Sequence, residues 1–335
     1  MTRASSSRWI LRNLAAACLL GLSGTAALAN EKVTFLLDWL PAGDKAVPYL
    51  AAHKGLFAAE GLDVTIQVGR GSSDVVTKLA TGTADIGTGG LAALLQARAQ
   101  SAVPVKAVYS VYTLQPDAIF TTTDSGISSL KDLVGKKVAT ATFSSSNVVW
   151  PLVLETNGID PSKVELIKAD PGALAPMLAS GRVAATINWV TVAPAFEGPL
   201  KETGKTMKIV EWSHAGFDGY GLSVFASEKI LKERPEVVKK FLRAYAKATE
   251  MAIADPAAAA AAVKAIVPEI DAAVGTKQFA MSVPLMVNDI SKKDGMGTFD
   301  KALLAKTWEW TAKSQKIPLD KIDPETAIDR SVAPK

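Results

Sequence analysis

Asp38, Trp39, Asp44 and Lys45 stand close together directly after an apolar run, Phe35-Leu36-Leu37, that reads as a buried strand. A carboxylate there accepts hydrogen bonds, an ammonium meets an anion as a point charge, and an indole offers a flat apolar wall with one N–H at its tip. A purely structural turn needs none of these groups. Three further turns rich in small or polar residues follow: "GRGSSD" (69–74), "GTGGLA" (87–92) and "TFSSSN" (142–147). Each leads from an expected strand into an expected helix, where unpaired backbone N–H groups and the helix dipole favour polar ligands. Trp39, Tyr112, Phe143, Trp189, Phe217 and Tyr220 fall at or just past expected strand ends. Ligands in open α/β sheets sit beyond the carboxyl ends of strands, so these features together read as a small-molecule cleft.

Catalytic constellations are sparse. The chain has two histidines, His53 within the first expected helix and His214 in a loop, and one cysteine, Cys18. No G-x-S-x-G elbow, H-E-x-x-H helix or Walker loop occurs. Gly87, Gly89 and Ala92 imitate a dinucleotide fingerprint, but they lie outside the first βα unit and no acidic residue ends the next strand, so no cofactor is expected.

The elements that must carry these residues alternate between strand and helix over 335 residues, of which 48% are hydrophobic and 21% charged. Strands are expected at 33–37, 64–68, 84–87, 105–111, 118–122, 137–142, 164–168, 184–188, 208–210 and 221–226. One helix is expected to follow the first turn and end at Gly61; another, capped by serine at "SSDVVTKLATG", ends at Gly82. Pro151 is expected in the first turns of its helix, and Pro235 opens another. From about Ser227 strands stop and helices take over.

Residues 1–29 read as a secretory signal peptide: Arg3, Arg8 and Arg12, an apolar stretch from Leu14 to Leu22, and Ala27-Leu28-Ala29 before the cut. The apolar run is shorter than the roughly 20 residues a membrane span needs. Cleavage after Ala29 removes Cys18, so no disulfide or cysteine-ligated metal is expected in the mature chain. It also removes three arginines and no acid, taking the formal charge from +4 to +1, which gives no reason to expect nucleic acid as a partner.

The stretches "GLFAAEGLDV", "KLATGTADIG", "SLKDLVGKKVAT" and "LASGRVAATINW", together with the Asp38-Trp39 turn, resemble the periplasmic solute-binding proteins of ABC importers, in the nitrate/sulfonate/taurine group that includes pyrimidine-precursor binders. The resemblance covers nearly the whole mature chain. It implies an α/β, type II periplasmic binding protein with two lobes, each a mixed sheet flanked by helices, and a ligand cleft between them. Lobe I would be residues 30–116 plus 221–335, and lobe II residues 117–220. A hinge motion would close the lobes on a small organic solute, planar or anionic, and the closed monomer would dock on an inner-membrane permease served by an ATPase. Closure needs contacts to both lobes. The implied site therefore draws on Asp38, Trp39, Lys45, Ser72, Ser73, Gly89, Gly90 and Tyr112 from one, Phe143, Ser144, Ser145 and Trp189 from the other, and Asp218 and Tyr220 near the hinge. The pyrimidine-precursor binders and related fungal synthases carry a first turn like Asp-Trp-x-Pro-Asn-x-Asn-His. Asp38, Trp39 and Pro41 match it, while Ala42, Asp44 and Lys45 stand in place of Asn, Asn and His. A pyrimidine- or vitamin-precursor binding protein is the alternative within transport, and an enzyme of the synthase kind is the alternative in another class.

Overall fold

A computed structural model describes residues 30–334; the expected signal peptide lies outside them. The described chain forms ten strands: β1 Glu31–Leu37, β2 Leu62–Val68, β3 Ile86–Gly90, β4 Val105–Ser110, β5 Asp117–Thr122, β6 Lys137–Ala141, β7 Glu165–Ala169, β8 Ala185–Trp189, β9 Met207–Glu211 and β10 Leu222–Ser227. They make two five-stranded sheets, ordered β2-β1-β3-β10-β4 and β7-β6-β8-β5-β9. Both are mixed. β1 runs parallel to β2 and β3, and β10 is antiparallel to β3 and β4. β6 runs parallel to β7 and β8, and β5 is antiparallel to β8 and β9. This is the expected α/β architecture.

The chain leaves the first sheet after β4 and returns to it in β10. One half of the molecule is therefore built from two separated stretches of chain, with the other half inserted between them. At this double crossing Gly221 N donates to Tyr112 O (3.0 Å), Leu91 N to Gly221 O (3.0 Å) and Val190 N to Pro116 O (2.8 Å).

Thirteen α-helices pack on the sheets: α1 Ala46–His53, α2 Leu56–Ala59, α3 Ser72–Ala80, α4 Leu91–Ser101, α5 Ser146–Thr156, α6 Leu174–Ala179, α7 Pro194–Glu202, α8 Glu228–Glu233, α9 Pro235–Ala254, α10 Pro256–Ile266, α11 Ala272–Met286, α12 Asp289–Asp294 and α13 Lys301–Ser314. The amphipathic α9 lays Val238, Phe241, Leu242 and Tyr245 against Phe35 of β1 and Phe57 of α2, with Phe241 stacked on both rings at 5.2 and 5.0 Å. Pro235 is its first residue, where the missing N–H costs no helical bond.

Some local expectations change. The helix expected to run unbroken to Gly61 is two, because Gly55 adopts a left-handed φ of 67° and resets the chain between α1 and α2. Ser72 does not cap α3; it is the helix's first residue, and its Oγ accepts from Gly90 N at 2.9 Å. "GTGG" is not a turn but the body of β3, paired on one side to β1 and on the other to β10. Pro151 lies at the sixth residue of α5, and the helix continues through it. No described helix is long and apolar enough to cross a membrane.

Candidate functional site

The strand ends place the site. β1 delivers Asp38 and Trp39, the turn after β2 delivers Gly71 and Ser72, the turn after β6 delivers Ser144, and β8 ends in Asn188 and Trp189. All are carboxyl ends of strands, and they converge on a small cavity between the sheets.

Asp44, Lys45 and Asp38 form a buried cluster on its wall. Lys45 Nζ lies 3.0 Å from Asp38 Oδ1 and 3.8 Å from Asp44 Oδ2, and all three residues are no more than 4% exposed. These are interior ion pairs. The Asp38 contact lacks hydrogen-bond angles, so the ammonium is matched in charge while its donors stay unsatisfied. Thr88 Oγ1 donates to Asp38 Oδ1 at 3.0 Å. From the opposite half, Thr191 Oγ1 donates to Asp44 Oδ2 at 2.8 Å. Trp189 lies over Lys45, with Nζ 4.8 Å from a ring centroid, and Tyr112 meets the indole edge-on at 6.0 Å. Burial pushes the Asp44 carboxyl above its ordinary range, and Lys45 and Thr191 oppose that only in part.

Backbone geometry brings the halves together beside this cluster. Gly71 has φ 144°, and a Cβ there would lie 2.5 Å from the Phe143 carbonyl. Only glycine allows that approach, which lets Ser73 N donate to Phe143 O at 3.1 Å. The Arg70 guanidinium covers the Phe143 ring at 4.7 Å. The two tryptophans are exchanged across the cleft. Trp39 packs against the apolar cluster of the second sheet, and Trp189 against that of the first.

Of the residues singled out from sequence, Asp38, Trp39, Lys45, Ser72, Ser144 and Trp189 line the cavity. Gly90, Ser145 and Tyr220 border a smaller cavity behind Trp189, at the crossing. Tyr112 stands behind Asp44 and Lys45. Ser73 and Phe143 meet through their backbones, and Gly89 packs under the Phe225 ring, so none of the three reaches the cavity. Asp218 pairs with Lys306 on α13, and the Tyr220 hydroxyl accepts from Asp300 N at 2.6 Å. Both serve the packing of the C-terminal region. His53 and His214 are exposed. Asp44, noted from the sequence beside Lys45, also lines the cavity between the sheets, and the structure adds Gly71, Ile187, Asn188 and Val192. Asn188 is 3% exposed, and its Oδ1 has no partner. Among the described residues no three His, Cys, Asp or Glu side chains are placed to hold a metal ion.

Two inward-facing mixed sheets, an inserted second half and a cleft at the strand ends define the fold of the periplasmic binding proteins. Residues 44–259 match the family described as NMT1/THI5 like, and the chain belongs to it. It is 26% identical over 289 residues to a riboflavin-binding protein of Chloroflexus aurantiacus, covering 84% of this chain and 80% of that one. It is 28% identical over 261 residues to a 4-amino-5-hydroxymethyl-2-methylpyrimidine phosphate synthase of Candida albicans, covering 75% and 76%. In structure it resembles the alkanesulfonate-binding protein SsuA of Xanthomonas axonopodis pv. citri, with a TM-score of 0.70 at 16% identity over 90% of this chain and 99% of that one.

Proposed function

We propose that the chain is the periplasmic substrate-binding component of an ABC importer, and that its solute is a small planar heterocycle carrying N–H groups, neutral or weakly cationic. The solute is held between lobe I, residues 30–116 plus 221–335, and lobe II, residues 117–220. The signal-peptide reading supports export, and the fold supports capture between two lobes.

The buried Asp38–Lys45–Asp44 cluster carries the choice of solute. Two carboxylates face one ammonium, and that ammonium is already matched by both. A sulfonate or nitrate entering here would find no free cation, because the one ammonium on this wall already faces Asp38 and Asp44. Asp44 Oδ1 and Asn188 Oδ1 are buried acceptors with no partner. Leaving such atoms unpaired costs about 1–3 kcal/mol each, so a ligand that donates to them gains specificity. Trp39 and Trp189 supply flat walls for a ring. The riboflavin-binding relative fits this reading.

The test is calorimetric titration of residues 30–335 with cytosine, uracil, riboflavin, an alkanesulfonate and nitrate. Binding confined to the heterocycles is expected, and tight binding of the sulfonate or nitrate would overturn the reading. The synthase relative favours a second reading, an enzyme acting on the same class of molecule. Mass spectrometry of the solute recovered from the complex separates the two, because a carrier returns it unaltered.

A further inference from the structure

Beyond the inner cavity, the mouth of the cleft opens into a groove of about 530 Å³, far larger than the inner cavity. We propose that this groove is a second subsite, and that the solute has two parts: a polar heterocyclic head in the inner cavity and an apolar body, a fused ring system or an aryl-sized substituent, in the groove. The inference rests on the heterocycle reading above and extends it.

The two spaces are continuous. Trp39, Asn188 and Val192 line both, so Asn188, whose Oδ1 has no partner, stands at their junction. A ligand held by its head at Asn188 therefore has one direction in which to extend.

The walls are apolar and poor in donors. Pro41, Pro171, Pro194 and Pro199 contribute rings without backbone N–H groups, and Leu40 stands 41% exposed beside them. Such walls suit a flat hydrophobic body that asks for no hydrogen bonds. The outer rim carries Glu269 and Asp271, both exposed, so the far end of the body is neutral, hydroxylated or cationic rather than anionic.

The groove is also bilateral. Residues 39–42 and 269–278 form one wall, and 171–176 and 192–199 the other. A body lying there touches both halves and so adds to the free energy of closure, as a contact to one half cannot.

Gly198 gives the test. It lies within α7 with ordinary helical backbone, it lines the groove, and a Cβ there would meet nothing within 4 Å. Gly198→Phe thus sets a bulky side chain on the groove wall at a position whose Cβ meets no neighbour, and with a better helix former. Two matched pairs are titrated calorimetrically: cytosine against thiamine, and uracil against riboflavin. In the wild type at least one extended member should bind tenfold or more tighter than its head. In Gly198→Phe, with a thermal midpoint no lower than wild type, that ratio should fall to near one. Heads that bind as well as their extended partners, or a ratio that survives Gly198→Phe, would overturn the groove while leaving the heterocycle reading in place. Binding by none of the four would overturn that reading, and this inference with it.

Discussion

Asp117 is the first residue of β5, at the point where the chain enters its second half, and it is 4% exposed. It accepts a hydrogen bond from Ser146 Oγ. Burial pushes its carboxyl up to about 7; Ser146 and the nearby indole N–H of Trp189 pull it down only in part. That N–H lies near enough to favour the carboxylate but reaches no partner at bonding geometry. An acid whose folded pKa lies above its unfolded one holds its proton more tightly when folded. The fold therefore loses stability as pH rises from the unfolded value of 3.8 to about 7, and the loss is complete above that. Asp117→Asn has no such charge to bury. Urea unfolding should find the variant close to wild type at pH 4 and more stable by on the order of 2–4 kcal/mol at pH 8. Parallel pH profiles for the two proteins would show that Asp117 stays ionised in the fold. At this scale the sequence was legible where a residue type is costly to waste. Asp38, Trp39, Lys45 and Trp189 sit at strand ends and do line the cavity. Asn188 and Thr191 escaped notice because an amide and a hydroxyl are ordinary near strand ends, and only the tertiary fold buries them. Asp218 and Tyr220 drew attention as residues near the crossing, yet their partners lie on and before α13, far along the chain.

The element that holds the site turn is α11, almost the last long helix. Gly43 N donates to Gln278 Oε1 at 2.9 Å, and a Cβ on Gly43 would lie 1.8 Å from Gly275 O. Two glycines thus press the Asp44–Lys45 turn onto a helix more than 200 residues away in sequence. Gly43→Ala must push α11 back and so displace both charged residues. Overpacking of this kind costs about 1–3 kcal/mol. A lowered thermal midpoint together with weaker solute binding is expected, and an unchanged protein would mean that α11 yields freely. Sequence could not reveal this contact, since glycine in a turn reads as conformational freedom rather than as close approach. The strands were far more legible, because alternation and β-branched runs report burial locally. The exception is β3, whose glycines read as a turn but are needed for close packing, with Gly87 against Val75 and the Leu36 carbonyl and Gly89 under Phe225.

On the scale of the whole molecule, Thr191–Asp44 is a buried side-chain bond that joins the halves inside the cleft, as a closed form of the proposed binding protein requires. Thr191→Val leaves Asp44 Oδ2 without its donor only in the closed form. The closed form should lose about 1–3 kcal/mol, a weakening of solute affinity by roughly 5- to 100-fold. Small-angle scattering of the ligand-free variant should show a larger radius than wild type; equal radii and affinities would remove this bond from the closing machinery. At the opposite edge of the molecule Gln315 donates to Val148 O at 2.6 Å and accepts from Gln96 at 2.6 Å, tying the end of α13 to both halves.

The exchange of Trp39 and Trp189 restricts how such a molecule can move. Each half-buried indole packs against the other half's apolar cluster, so the two interlock across one seam. Sliding along the seam would drive both rings sideways into packed side chains, whereas swinging about the crossing strands draws them straight out of their sockets. Close-packed interiors resist the first and permit the second. The same two side chains that line the cavity thus act as dowels, favouring rotation of the halves over sliding.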